Sequence, residues 1–420
     1  MSVAVHQGDC LEVMRSLPDA SVDAVVTDPP YDLTARKRGG PGVASAGGFM
    51  GKAWDGTGIA FRPDVWAECL RVLKPGGHLL AFGGTRTWHR LAVAVEDAGF
   101  ELRDSIAWLY GSGFPKSLDV SKAIDKAAGA EREVVGINPR AAQQTAKLDA
   151  TSYGAFAGTS SDLTAPATPD AERWQGWGTA LKPAFEPIVV ARKPLTCTVA
   201  ANVLEHGTGA LNIAATRVTS GDNLVRPAIV RHNNDVLGKG LGAGVQTNPA
   251  GRWPTNVVLD GHAADALDQQ SGESKSPKPY TRNAMGGEYF GYTVGGAAQY
   301  GSAEANYGDQ GGASRFFKVI SPTFRYQAKA PARERPKVDG VAHPTVKPLE
   351  LMRWLVRLVT PPGGVVLDPF AGSGATVEAA LLEGFACIAI EREADYLPLI
   401  QVRIDRQQQP CQGAARGSCA

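Results

Sequence analysis

Apolar positions follow two different spacings in the two ends of the chain. VDAVVTD (22–28), HLLAFGG (78–84), GGVVLD (363–368) and ACIAIE (386–391) are short apolar runs closed by turn residues or acids, the pattern of strands buried on both faces. Between them, Pro63–Leu73, Trp88–Ala98, Pro348–Val359 and Ala375–Glu383 repeat apolar positions every three or four residues, which predicts helices. Strands alternating with helices imply an α/β layer structure around a mostly parallel sheet. From about Gly111 to Gln327 the period is lost and Gly, Pro, Asn, Thr and Ser accumulate, with strand-like islands at FEPIVVARKPL (185–195) and GRWPTNVVLD (251–260). That stretch reads as a long insertion between two halves of one domain, and QQQPCQGAARGSCA at the end reads as a flexible tail.

Composition narrows the classes. The chain has 420 residues, 43% hydrophobic and 20% charged, enough for a large core and two or three domains. Lys and Arg number 43 against 42 Asp and Glu, so any contact with a polyanion must come from a local patch. The six cysteines form no CxxC pair, and His206, His232 and His262 lack ligand spacing, so no metal is expected and the thiols read as reduced. The N-terminal MSVAVHQGDC has no basic segment leading into an apolar one, and no apolar run approaches the ~18 residues of a membrane span. A cytoplasmic protein with no membrane partner is the expectation.

Two motifs carry chemistry. In Gly363–Glu393 an apolar strand, a glycine turn, a helix and a second strand ending in an acid follow one another, the layout of a nucleotide-type site. Gly372 and Gly374 allow a tight turn and close approach to a ligand, and Glu391 stands where a ribose-binding acid belongs. There is no GK[ST], and the third glycine of the dinucleotide fingerprint is missing. Asp368 at the strand tip would repel a pyrophosphate and suit a sulfonium or ammonium, which favours S-adenosyl-L-methionine over NAD. A nicotinamide-dependent oxidoreductase is the remote alternative.

The second motif, DPPY, closes the first apolar strand, at the end where ligands of open α/β sheets bind. Pro29 and Pro30 remove two backbone donors and stiffen the turn. Asp28, a backbone carbonyl and the face of Tyr31 together suit a planar base with an exocyclic amino group.

DPPY (Asp28 to Tyr31) and DPFAGSG (Asp368 to Gly374), in this order, resemble the DNA amino-methyltransferases that modify adenine N6 or cytosine N4, specifically their beta group. HQGDCLEVMRSLPDASVDAVVTDPPY, LKPGGHLLAFGG and HPTVKPLELMRWLVRL are similar to further segments of that family, with a weaker echo at LKPAFEPIVVARKP. The resemblance implies a doubly wound, Rossmann-like methyltransferase sheet in circularly permuted order, with a target-recognition region inserted. Its halves would be 1–110 (catalytic) and 331–405 (cofactor-binding), flanking an insertion at 111–330 whose segment 181–194 returns to the catalytic sheet; 406–420 would be the tail. It implies site-specific methylation of adenine N6 in double-stranded DNA, with cytosine N4 as the alternative, since the family's cytosine enzymes more often carry serine in place of Asp28. It implies catalysis by Asp28, Pro29, Pro30 and Tyr31. The cofactor would be held by Asp9, Cys10, Asp28, Asp368, Pro369, Phe370, Gly372, Ser373, Gly374, Glu391 and Arg392, with Thr345 and Lys347 on its carboxylate. A cognate restriction endonuclease is the partner it suggests, and both a monomer and a homodimer stay open.

Contacts with DNA are expected from Arg36, Lys37 and Arg38, which follow DPPY in a glycine-rich segment, and from Arg315, Lys318 and Arg325, interleaved with aromatics. From Thr196 to Ala330 basic residues outnumber acidic ones only 12 to 10.

Overall fold

A computed structural model describes residues 2–32, 53–111, 117–137, 162–218, 251–275, 310–320 and 334–408. The chain divides into two compact units, Met1–Ser112 with Phe185–Ala420, and Gly113–Ala184.

The first unit is built on a nine-stranded sheet. In chain order its strands are β1 (Val3–Gln7), β2 (Val22–Thr27), β3 (Leu73–Phe82), β4 (Glu101–Leu109), β5 (Phe185–Arg192), β6 (Val257–Asp260), β7 (Lys318–Ile320), β8 (Val365–Asp368) and β9 (Ala386–Glu391). Across the sheet they run β1-β9-β8-β2-β3-β5-β4-β6-β7. Every pairing is parallel except the two made by β5, which lies antiparallel between β3 and β4. The parallel majority requires crossovers, and helices cover both faces.

Burial follows from that layering. All six residues of β2 are buried; Ala24 and Val26 pack against the helices Leu349–Val359 and Ala375–Glu383, while Val25 packs against Cys10–Ser16, Pro63–Val72 and Trp88–Asp97. Asp23 sits inside this strand because its carboxylate accepts from Lys74 Nζ at 2.6 Å and from the Val365 N–H at 2.8 Å, joining β2 to its two neighbours' starts. Such full satisfaction is what makes a buried carboxylate tolerable.

Several elements differ from expectation. β3 starts at Leu73 rather than 78, because Lys74–Gly77 continues the strand through an irregular register with β2. Gly76, at φ +78, allows this: a Cβ there would fall 2.5 Å from Asn202 Nδ2. β1 and β4 were not anticipated; Glu101–Asp104 alternates no apolar face and is largely exposed, and only from Ile106 does every second residue enter the core. The aperiodic middle also contains helices, Val199–His206 and Gly261–Ser271, capped by the side chains of Thr198 and Asp260. Among the described residues no helix is long and apolar enough to cross a membrane.

The second unit has its own polar anchor. Asp125, in the helix Val120–Ala128, is fully buried and receives the Arg132 guanidinium at 2.5 Å, the Thr168 hydroxyl at 2.7 Å and the Ala167 N–H at 3.0 Å. An antiparallel pair, Val134–Ile137 with Asp162–Thr164, accompanies it.

Candidate active site

The parallel strands deliver their C-terminal ends to one edge of the sheet. Asp28 follows β2, Asp368 ends β8, Glu391 ends β9, Gly83 follows β3 and Asp9 follows β1. Because β5 runs the other way, its first residues come to the same edge: Phe82 pairs with Ile188, and Glu186 lies just beyond.

Around Asp28 four side chains meet. Asp28 Oδ2 lies 2.5 Å from Lys347 Nζ, and the same ammonium is 3.3 Å from Glu186 Oε2. The Tyr31 hydroxyl donates to Glu186 Oε2 at 2.8 Å. Lys347, only 7% exposed, stands 4.7 Å from the centre of the Phe82 ring and 5.2 Å from that of Tyr31, close enough for cation–π attraction. Burial opposes its charge, but Asp28 and Glu186 outweigh burial and hold the ammonium above its usual pKa. Burial, with the neighbouring carboxylates Asp28 and Glu186, raises the Tyr31 phenol well above the usual range, so it stays a neutral donor. The Thr87 hydroxyl donates to the Tyr31 carbonyl at 2.9 Å, fixing the turn from the loop after β3. Asp28 Oδ1 is buried and has no hydrogen-bond partner among the described residues.

The glycine loop forms the neighbouring half. Thr27 Oγ1 donates to Asp368 Oδ1 at 2.7 Å, tying the tips of β2 and β8 together, and the Phe370 N–H reaches the same oxygen at 3.1 Å. Gly372 and Gly374 both have positive φ, +53 and +78. A Cβ on Gly372 would press within 3.1 Å of the His343 ring, and one on Gly374 within 3.2 Å of the Ile400 backbone. Glu391 accepts the Gly372 N–H at 2.7 Å and the Glu393 N–H at 2.8 Å, holding the loop to the end of β9. Burial pushes the Asp368 carboxyl up to about 6 and that of Glu391 up to about 7. Two buried carboxylates at a glycine turn offer acceptors for hydroxyl or ammonium groups and favour a positively charged ligand.

The remaining expected residues have these places. Asp9 caps the helix Cys10–Ser16 through the Leu11 N–H at 2.9 Å, and burial pushes the Cys10 thiol up to about 12, so it is an inert thiol. Pro369 and Ser373 are buried within the loop, Phe370 packs against Trp66, and the half-exposed Arg392 pairs with Glu393 at 2.9 Å. The Thr345 carbonyl lies 2.5 Å from His343 Nδ1. Lys347 is directed to Asp28 and Glu186.

Arg315 and Lys318 lie at the far edge of the sheet, and their charged groups already serve the fold. Arg315 donates to the carbonyls of Gly311 and Gly312 at 2.6 and 2.7 Å, and Lys318 reaches Glu350 at 3.2 Å. Arg36, Lys37, Arg38 and Arg325 fall outside the described residues.

Glu186, Phe82 and the aromatic set around His343 were not singled out in the sequence. His343 stacks on Trp54 at 5.7 Å and meets Tyr396 edge-on at 4.6 Å, covering the glycine loop. A lone acid in the otherwise apolar run FEPIVVA was the available signal for Glu186.

Comparison with known proteins agrees with this arrangement. Residues 22–402 match the family model for DNA methylases of the N6/N4 type. The Type II methyltransferase M.HindIII of Haemophilus influenzae is 27% identical over 236 residues, covering 50% of this chain and 64% of that protein. M.BamHI of Bacillus amyloliquefaciens, also a Type II methyltransferase, is 38% identical over 79 residues, 19% of this chain and 16% of its own length. The chain thus spans less than two thirds of either relative. Among solved structures, the cytosine-N4-specific PvuII DNA methyltransferase aligns over 99% of this chain and 89% of its own with 14% identity and a TM-score of 0.43, too loose a likeness to carry weight. With most of its length under one family model, and with DPPY and the glycine loop side by side at the sheet's edge, the chain belongs to the N6/N4 DNA methylase family.

Proposed function

We propose that the protein is a site-specific DNA methyltransferase moving a methyl group from S-adenosyl-L-methionine to the N6 amino group of adenine in double-stranded DNA. The observation that carries this reading is the Asp28 carboxylate, with one oxygen on Lys347 and the other buried without a partner among the described residues. A buried, unclaimed acceptor is costly unless a ligand supplies the donor, and an exocyclic amino group supplies two. The amino lone pair is conjugated into the ring; accepting its N–H bonds at Asp28 and the Pro29 carbonyl localises it for in-line attack. The base leaves the duplex at a cost of about a few kcal/mol, offset in part by stacking on Tyr31 worth roughly 1–3 kcal/mol.

When bound, S-adenosyl-L-methionine supplies a methyl group activated by a sulfonium. Asp368 and Glu391 fit it through their buried acceptors, and Gly372 and Gly374 leave two positions of the loop without a side chain. Asp28 itself supports adenine, because the family's cytosine enzymes more often carry serine there. The Type II designation of both relatives supports a companion restriction endonuclease. Incubation of the protein with DNA and S-adenosyl-L-methionine, followed by nucleoside mass spectrometry, is expected to give N6-methyladenine. N4-methylcytosine as the sole product would replace the adenine assignment.

Cofactor affinity should depend on pH with a definite sign. Glu391 holds a proton up to about pH 7 because burial penalises its charge. A ligand that needs the ionised acceptor must displace that proton at lower pH, so affinity falls about tenfold from pH 8 to pH 6. Calorimetric titration across that range tests this, and Glu391→Gln is expected to flatten the profile. The same raised value means that this group favours the folded state least at high pH: stability declines as pH rises from the ordinary 4.5 through about 7.

A further inference from the structure

Two charged groups reach the DPPY turn from distant parts of the chain. Lys347 reaches the pocket from the segment before the helix Leu349–Val359, and Glu186 from the start of the antiparallel strand β5. A buried lysine beside a catalytic carboxylate needs an explanation, because desolvating an ammonium is expensive unless its partners are well placed. Here they are: Asp28 Oδ2 at 2.5 Å, Glu186 Oε2 at 3.3 Å and two aromatic faces. Glu186 Oε2 serves the ammonium and the Tyr31 hydroxyl together, so one carboxylate atom connects the side chains that meet the base.

We propose that Lys347 and Glu186 are positioning residues for methyl transfer: the Lys347 ammonium engages one oxygen of Asp28 and leaves the other for the amino group, while Glu186 anchors both that ammonium and the Tyr31 ring. The proposal rests on the methyltransferase reading above. It gives Lys347 a role on the base side of the pocket, not on the cofactor's carboxylate.

The charge arrangement makes the roles separable. The titratable groups facing Asp28 are Lys347, Glu186 on β5, Tyr31 in its own turn and Asp368 on β8. Removing the ammonium leaves the carboxylates of Asp28 and Glu186 without their shared cation, whereas removing the Glu186 charge leaves Asp28 its cation. A replacement that keeps the cation therefore separates positioning of Asp28 from loss of a structural contact.

The test is kcat and KM of K347M, K347R and E186Q on double-stranded DNA, with S-adenosyl-L-methionine binding followed by calorimetry. K347M is expected to lower kcat about 10²-fold with KM for the cofactor little changed. K347R should recover most of the loss, because it restores the charge. E186Q, which keeps an acceptor for Tyr31, should lower kcat about tenfold with KM for the cofactor little changed; it carries the test alone if K347M does not fold. A K347M enzyme with unchanged kcat and a raised cofactor KM overturns the proposal and returns Lys347 to the cofactor, and an E186Q enzyme with unchanged kcat overturns the role of Glu186. Wild-type protein that methylates no base overturns the methyltransferase reading and this proposal with it.

Discussion

Asp28→Ala is expected to lower methyl transfer by at least about 10³-fold while leaving S-adenosyl-L-methionine affinity nearly unchanged. The asymmetry follows from the geometry. Asp28 is the side chain of the DPPY turn with a buried acceptor left without a partner among the described residues, whereas the glycine loop is held by other groups: Thr27 on Asp368, and Glu391 on Gly372. The Lys347 ammonium keeps Glu186 when Asp28 is gone, so the pocket does not acquire an isolated buried charge. Asp28→Asn separates charge from shape, since the amide keeps one acceptor oxygen but turns a donor toward an ammonium or an amino group. Single-turnover rates with cofactor calorimetry check the claim; measurable turnover by Asp28→Ala near the wild-type rate refutes the role.

Glu378→Ala is expected to destabilise the protein by about 3–5 kcal/mol, the usual consequence of breaking a buried ion pair from one side. Arg403, with no exposed surface, bonds the Glu378 carboxylate and the Glu334 carbonyl. This pair joins the helix Leu397–Gln408 to Ala375–Glu383, the helix that the glycine loop leads into. Losing Glu378 leaves a guanidinium in an interior where burial already disfavours its charge. Replacing both partners, as Glu378→Leu with Arg403→Met, should recover much of the loss, because neither apolar side chain needs solvation. Urea denaturation of the three variants measures this, and a loss below about 1 kcal/mol in Glu378→Ala would show that the pair contributes little.

How much of this was legible beforehand differs between the two halves of the pocket. VDAVVTD and GGVVLD announce buried strands because their apolar residues are contiguous, and DPPY and DPFAGSG announce loop chemistry because prolines and glycines restrict the backbone locally. The places of Asp28, Asp368, Gly372, Gly374 and Glu391 at strand ends follow from such local rules. Glu101–Leu109 stayed hidden because its first half has no apolar face, and Val3–Gln7 because it is short and alternates weakly.

The sequence by itself determined the alternation of strands and helices, the two motifs and their order, and through them the family. Only the tertiary structure decided that Lys347 stands on Asp28, 319 residues away, with Glu186 beside it. The reason is physical. Periodicity and turn chemistry are properties of neighbouring residues, whereas the reversal of β5 that brings Glu186 to the catalytic edge is a property of strand pairing across the whole sheet.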